Sequence, residues 1–193
     1  MVGGPRLLRS RRRDIAVVRP RENTVTVEPT TRILIVGVGN VLHGDDGFGV
    51  EVARQLVDRE LPYGVTVAET GIGGIHLVHE LMAGYDALIV IDAVDHGRPP
   101  GTVLVITPEV LDVHELPLEQ RHDLMADMHL ATPELALMVA KAVGVLPECT
   151  IMIGCQPVEI ETLGVGLTDV VSQAVQTALS EVDRCVAQLQ AGR

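Results

Sequence analysis

Two short runs, Ile33-Leu34-Ile35-Val36-Gly37-Val38 and Ala87-Leu88-Ile89-Val90-Ile91, constrain the fold most, because neither contains a polar side chain. A strand with one face in water alternates apolar and polar residues, so an unbroken, largely β-branched run needs a sheet covered on both faces. Amphipathic segments between the runs can supply the covers. The spacing predicts a helix over 46–59, with Val52, Ala53, Leu56 and Val57 on one face, and a short helix over 75–83. A third is predicted from Pro133 to about Val143, with Thr132 as N-cap, and a last over 168–190. Further strands are expected at 64–69, 102–107 and 149–154, and 108–130 reads as irregular. The order β-α-β-α-β-β-α-β-α predicts the α/β class. The expected architecture is a three-layer α/β/α sandwich around a mostly parallel, five-stranded twisted sheet, with one hairpin-like or edge insertion.

Charge divides the chain of 193 residues. Residues 1–31 carry seven Arg against three acids, while residues 32–193 carry eight Lys and Arg against 23 acids. We therefore expect a basic, disordered extension over 1–31 and a single α/β domain over 32–193. Ser10-Arg11-Arg12-Arg13 superficially resembles a twin-arginine signal, but Asp14, Arg19, Arg21 and Glu22 interrupt any apolar stretch after it. The net charge of -11 repels phosphate backbones and anionic membranes, and one Phe, two Tyr and no Trp leave little with which to stack bases. No nucleic-acid partner and no membrane insertion are expected. The only lysine is Lys141, in no phosphate-binding loop, and Ser10, Ser172 and Ser180 leave little room for a serine nucleophile. Cys149, Cys155 and Cys185, an odd number without C-x-x-C spacing, suit a reducing cytoplasm.

In open α/β sheets ligands bind beyond the carboxyl ends of the strands. Asp45 and Asp46 follow the first strand, Asp92 ends the third, and His129 lies in the loop before the third helix. Two carboxylates and an imidazole on one rim make an O,O,N set for a divalent metal with open positions. Asp45 also suits an N-cap, its simpler role. Asp92 is harder to explain structurally, since a buried carboxylate needs a partner. Gly37-Val38-Gly39-Asn40 invites a dinucleotide-binding reading, with Glu69 as ribose acid, but Leu42 stands where the third glycine belongs. Cys155 is a conceivable nucleophile, though a small core residue is the better reading.

Several spaced motifs then point one way. Gly37-Val38-Gly39-Asn40-Val41-Leu42-His43-Gly44-Asp45-Asp46-Gly47-Phe48-Gly49 resembles the opening motif of the hydrogenase maturation endopeptidases. Thr70-Gly71-Ile72-Gly73-Gly74 resembles their glycine turn, and Asp92-Ala93-Val94-Asp95-His96-Gly97 with Pro100-Gly101 their central segment. His129 with Pro133-Glu134-Leu135-Ala136-Leu137, and Gly154-Cys155-Gln156-Pro157 with Gly164-Val165-Gly166-Leu167-Thr168, resemble the last two. The similarity runs over about 32–185, in order. Where family members often carry S-x-H, this chain has Asp127-Met128-His129, and His122 is a rival imidazole.

The resemblance implies a protease that removes the C-terminal peptide from the large-subunit precursor of a [NiFe] hydrogenase. It implies nickel as the cofactor, arriving with the substrate as its recognition mark, and catalytic, metal-contacting roles for Asp46, Asp92 and His129. The nickel, or a water on it, would polarise or attack the scissile carbonyl, with Asp45 as a supporting carboxylate. Gly37, Gly39, Gly71 and Gly73 would leave a cleft free of side chains for an extended peptide. Two other readings stay open: a nucleotide-binding Rossmann-like enzyme, and a nickel-checking chaperone that holds the large subunit without cutting it.

Overall fold

The computed structural model describes residues 30–71, 74–117, 132–161 and 163–192. Both apolar runs are strands, buried at every position: β1 spans Ile33–Val38 and β3 spans Ala87–Ala93. With β2 (Val65–Gly71), β4 (Val103–Ile106) and β5 (Cys149–Cys155) they form one five-stranded sheet in the order β2-β1-β3-β5-β4. Four strands are parallel, with Ile33 beside both Val65 and Ala87 and Ala87 beside Cys149. The remaining strand, β4, is antiparallel to β5, Val103 facing Cys155.

That places β4 as an edge strand and not as the second arm of a hairpin with β3. The reason is local: Gly101 N donates to Gln156 O (2.8 Å) and Gln156 N to Thr102 O (2.9 Å), so the turn after β3 is carried across the end of β5. Strand β5 therefore takes the position beside β3, pairing along all of it from Ala87 to Ala93.

Helices cover both faces, as the unbroken runs require. On one side α1 (Phe48–Val57) and α4 (Asp169–Ala191) pack on Ile33, Ile35, Ile89 and Ile91. On the other, α2 (Gly74–Leu81) and α3 (Pro133–Ala142) pack on Leu34, Val36, Leu88 and Val90. Period-2 geometry sends neighbouring side chains of one strand into different cores. Each such fully buried Ile or Leu contributes about 1.5–3 kcal/mol relative to its exposed state. Thr132 caps α3 as expected, its Oγ1 accepting from Leu135 N at 3.4 Å, with Pro133 in the first turn.

The helix expected over 46–59 starts later. A 3-10 turn at Gly44–Gly47 precedes α1, and it is this turn that carries Asp45 and Asp46. Strand order reverses between β1 and β3, the crevice where open α/β sheets bind their ligands.

Candidate active site

Strand β1 ends at Val38, and the chain must turn sharply to begin α1. Gly39 makes the turn possible with φ +128°, and a Cβ there would lie 1.8 Å from Asp46 O. The 3-10 turn then folds back over the loop, and the Asp46 carboxylate accepts from Asn40 N at 2.8 Å. Its other oxygen, Oδ1, has no partner among the described residues. Asp92 is the penultimate residue of β3, opposite Gly154, and is 7% exposed. Both carboxylates line one cleft of about 260 Å³, whose wall also includes Asp95, Thr132 and Glu134.

Two acids in one partly closed cleft perturb each other. Burial pushes the Asp92 carboxyl up to about 8, and the Asp46 charge adds to the rise. The Ala93 amide opposes it, and Glu134 adds a smaller upward push. At neutral pH the Asp92 carboxyl thus keeps its proton until a cation or another positive group arrives.

Asp45 does something other than cap a helix. It is fully buried, and Oδ1 accepts from Thr168 N (2.7 Å) while Oδ2 accepts from Val158 N (2.9 Å) and Thr168 Oγ1 (3.0 Å). Both of its oxygens are spent on the chain that follows β5, so it faces that loop and not the cleft. The Thr168 hydroxyl, which could have capped α4, is spent on Asp45 instead.

Gln156 and Glu134 are site residues that sequence reasoning did not single out. Gln156 is 7% exposed; its Oε1 accepts from His96 N (2.7 Å) and Arg98 N (3.1 Å), and Nε2 donates to Asp95 Oδ1 at 3.0 Å. One amide side chain thereby shapes the loop after Asp92. The Gly97 amide and the Gln156 side chain hold the Asp95 carboxyl below the usual range, so it stays charged beside Asp92. A buried amide has to satisfy both of its ends, and the fragment Gly154-Cys155-Gln156-Pro157 at a strand end was the available clue. Glu134 could have been found from its place in the first turn of α3, right after Thr132 and Pro133.

Gly37 does not open the cleft, because a Cβ there would lie 2.2 Å from Gly49 O and 2.6 Å from Ala53 Cβ. It is a packing glycine under α1. Gly49 is its counterpart, with Ile91 O at 2.1 Å and Val38 O at 2.4 Å from a Cβ. The close helix–strand approach that a nucleotide fold draws from a third glycine is thus made here by Gly37 with Gly49. Gly39 lets the loop pass under Asp46, and among the described residues a Cβ at Gly71 would meet only Gly39 O, at 3.9 Å. Cys155 is fully buried and its thiol is pushed up to about 11 by burial, with the Asp45 charge adding, which makes it a core residue. Glu69 pairs with Arg54 at 3.3 Å. The amide of Asn40, which a nucleotide would need for its pyrophosphate, already holds Asp46.

His129, His122 and Gly73 lie outside the described residues. The structure therefore brings together Asp46 and Asp92, two of the three expected metal contacts. Among the described residues no group of three His, Cys, Asp or Glu is arranged to hold a metal ion. Thr132, on the cleft wall, follows His129 by three positions in the sequence.

Known proteins give the geometry its context. A family model described as hydrogenase maturation protease matches residues 50–184. The hydrogenase expression/formation protein HupD of Rhizobium leguminosarum bv. viciae is 35% identical over 156 residues, covering 78% of this chain and 74% of its own. HoxM of Cupriavidus necator is 32% identical over 154 residues, 77% of this chain and 71% of its own. Among solved structures, the hydrogenase maturating endopeptidase HybD of E. coli superposes with a TM-score of 0.65 at 28% identity, over 82% of this chain and 93% of that one. With its five-stranded sheet, its cleft at the β1/β3 reversal and these relatives, the chain belongs to the hydrogenase maturation protease family.

Proposed function

We propose that this protein cuts the C-terminal peptide from the nickel-loaded large-subunit precursor of a [NiFe] hydrogenase. In this reading Asp46, Asp92 and His129 contact the substrate's own nickel. The observation that carries it is the pairing of Asp46 with a buried Asp92 whose proton is retained by burial and by the neighbouring charge. Such a pair is destabilised until a cation enters, and a divalent ion brought by the substrate supplies one. The carboxylate of Asp46 is pre-oriented, since Asn40 N holds one oxygen and leaves Oδ1 for the ion.

Nickel in the substrate supplies Lewis acidity toward the peptide carbonyl. The chain's own part is to bind and to place. Asp92 gives up its proton on binding, Asp46 fixes the ion's side of the cleft, and Gly71 leaves room for an extended peptide beside Gly39. Asp45 supports this only indirectly, through the loop it clamps. The place of action we propose is the reducing cytoplasm, in keeping with three free cysteines. No helix among the described residues is long and apolar enough to cross a membrane.

The test compares Asp46→Ala, Asp92→Ala and His129→Ala with wild type on nickel-loaded precursor, read as product mass. Each variant is expected to lose at least about a hundredfold in cleavage rate. Near-wild-type cleavage by all three would remove the proposal. Tight precursor binding by the wild type without any mass change would instead favour the non-cleaving chaperone reading.

A further inference from the structure

The segment after β5 is fastened to the catalytic turn as well as to the sheet. Besides the three Asp45 bonds, Gly164 N donates to Leu42 O (2.9 Å), Gly44 N donates to Gly164 O (2.8 Å), and His43 Nδ1 lies 3.2 Å from Ile160 O. Gly164 thereby pairs with His43 as an isolated parallel bridge. The two joined segments form a ledge whose apolar side chains turn outward: Leu42 is 57% exposed, Leu163 76% and Val165 85%. Exposed apolar residues scattered singly need no explanation, but these are contiguous and come from two chain segments. The backbone N–H and C=O groups of Leu163 and Val165 have no partner among the described residues.

Beside the ledge lies a groove of about 350 Å³, with Val41, Gly47, Leu167 and Val175 in its lining. Glu51, Arg54, Gln55 and Ser172 line its other side, where Gln55 Nε2 donates to Glu51 Oε1 at 2.9 Å and Arg54 Nε pairs with Glu69 at 3.3 Å. On the ledge itself the exposed side chains are apolar, and an apolar segment would cover Leu163 and Val165. The groove and the cleft share the 3-10 turn Gly44–Gly47: Gly44 and Gly47 line the groove while Asp46 lines the cleft.

We propose that this ledge docks an extended, apolar segment of the large-subunit precursor, as a second anchor beside the cleft. The inference rests on the protease reading above. An extended segment fits because the backbone groups of Leu163 and Val165, without a partner among the described residues, can pair with another backbone, and the flanking apolar side chains favour apolar residues on it.

The experiment uses the full chain and nickel-loaded precursor, with binding measured separately from cleavage. The double variant Leu163→Glu/Val165→Glu is expected to bind precursor roughly tenfold more weakly and to raise KM to match, with kcat and Tm as in wild type. In the wild type, amide hydrogen exchange at Leu163 and Val165 should slow when precursor binds. Unchanged affinity in the variant, a loss confined to kcat, or unslowed exchange would each overturn the docking site. So would a wild type that sediments as a dimer and a variant that sediments as a monomer, since the ledge would then be a contact between copies of this chain. Binding that depends on the ledge without any mass change would sink the protease reading and leave the docking surface standing.

Discussion

At the scale of single residues, Asp92 is the most consequential group, because its charge is unfavourable in the free protein and, in the proposed reading, favourable only once the substrate's nickel is bound. Its folded pKa of about 8 lies above the ordinary carboxylate value of 3.8. Between those two values the unfolded chain has lost a proton that the folded chain retains, so this group lowers stability as pH rises from about 4 to about 8 and has no further effect above that. Asp92→Asn removes the titration. Its Tm advantage over wild type should be small at pH 5, grow to several degrees by pH 8 and then level off, as thermal melts across that range would show. The opposite sign applies to binding. Precursor affinity should rise with pH up to about 8, with close to one proton released per complex, which calorimetry in buffers of different ionisation enthalpy measures. An affinity independent of pH over that range would argue that Asp92 does not contact the nickel.

Among the elements, the 3-10 turn at Gly44–Gly47 is the hinge of the site, and it is held from both sides. From above, Asp45 fastens it to Val158 and Thr168. Asp45→Ala would leave the Val158 and Thr168 amides without their acceptor, an expected loss of about 1–3 kcal/mol by denaturant unfolding, with cleavage reduced in the protein that remains folded. From below, Gly49 lets α1 rest on Val38 and Ile91, directly beside Asp92. Gly49→Ala puts a Cβ into two backbone oxygens and is expected to destabilise by about 2–3 kcal/mol and to slow cleavage. Gly144, with φ +75° but nothing within 4 Å of a Cβ, is the control on the far side of the fold. Gly144→Ala should cost only its backbone strain and leave cleavage unchanged.

Taken whole, the molecule is a two-faced sheet whose strand order reverses where the acids stand. The proposed nickel mark makes a prediction at this scale: the intact protein should shorten nickel-loaded precursor and leave the nickel-free form at full mass. Equal cutting of both forms would separate the protease activity from metal recognition. Overall charge bears on partners more than on fold. A body of eight Lys and Arg against 23 acids over 32–193 favours uncharged or basic surfaces on whatever it meets.

The layers, the element order and the pairing of Asp46 with Asp92 were legible from one-dimensional pattern, because burial on both faces forces an unbroken apolar run and because strand ends collect at one rim. Local chemistry also revealed the Thr132 cap and the packing role of Cys155. The neighbour of β5 was not legible, since an antiparallel edge and a hairpin arm have the same apolar signature and only the Gln156 backbone bonds decide between them. Nor could sequence tell Gly37 the packing residue from Gly71 the open one, as each is simply a glycine after a strand or at its end. Asp45 and Asp46 are adjacent and chemically identical in the chain. The 3-10 turn aims one into the loop after β5 and the other into the cleft, a division of roles that only tertiary structure decides.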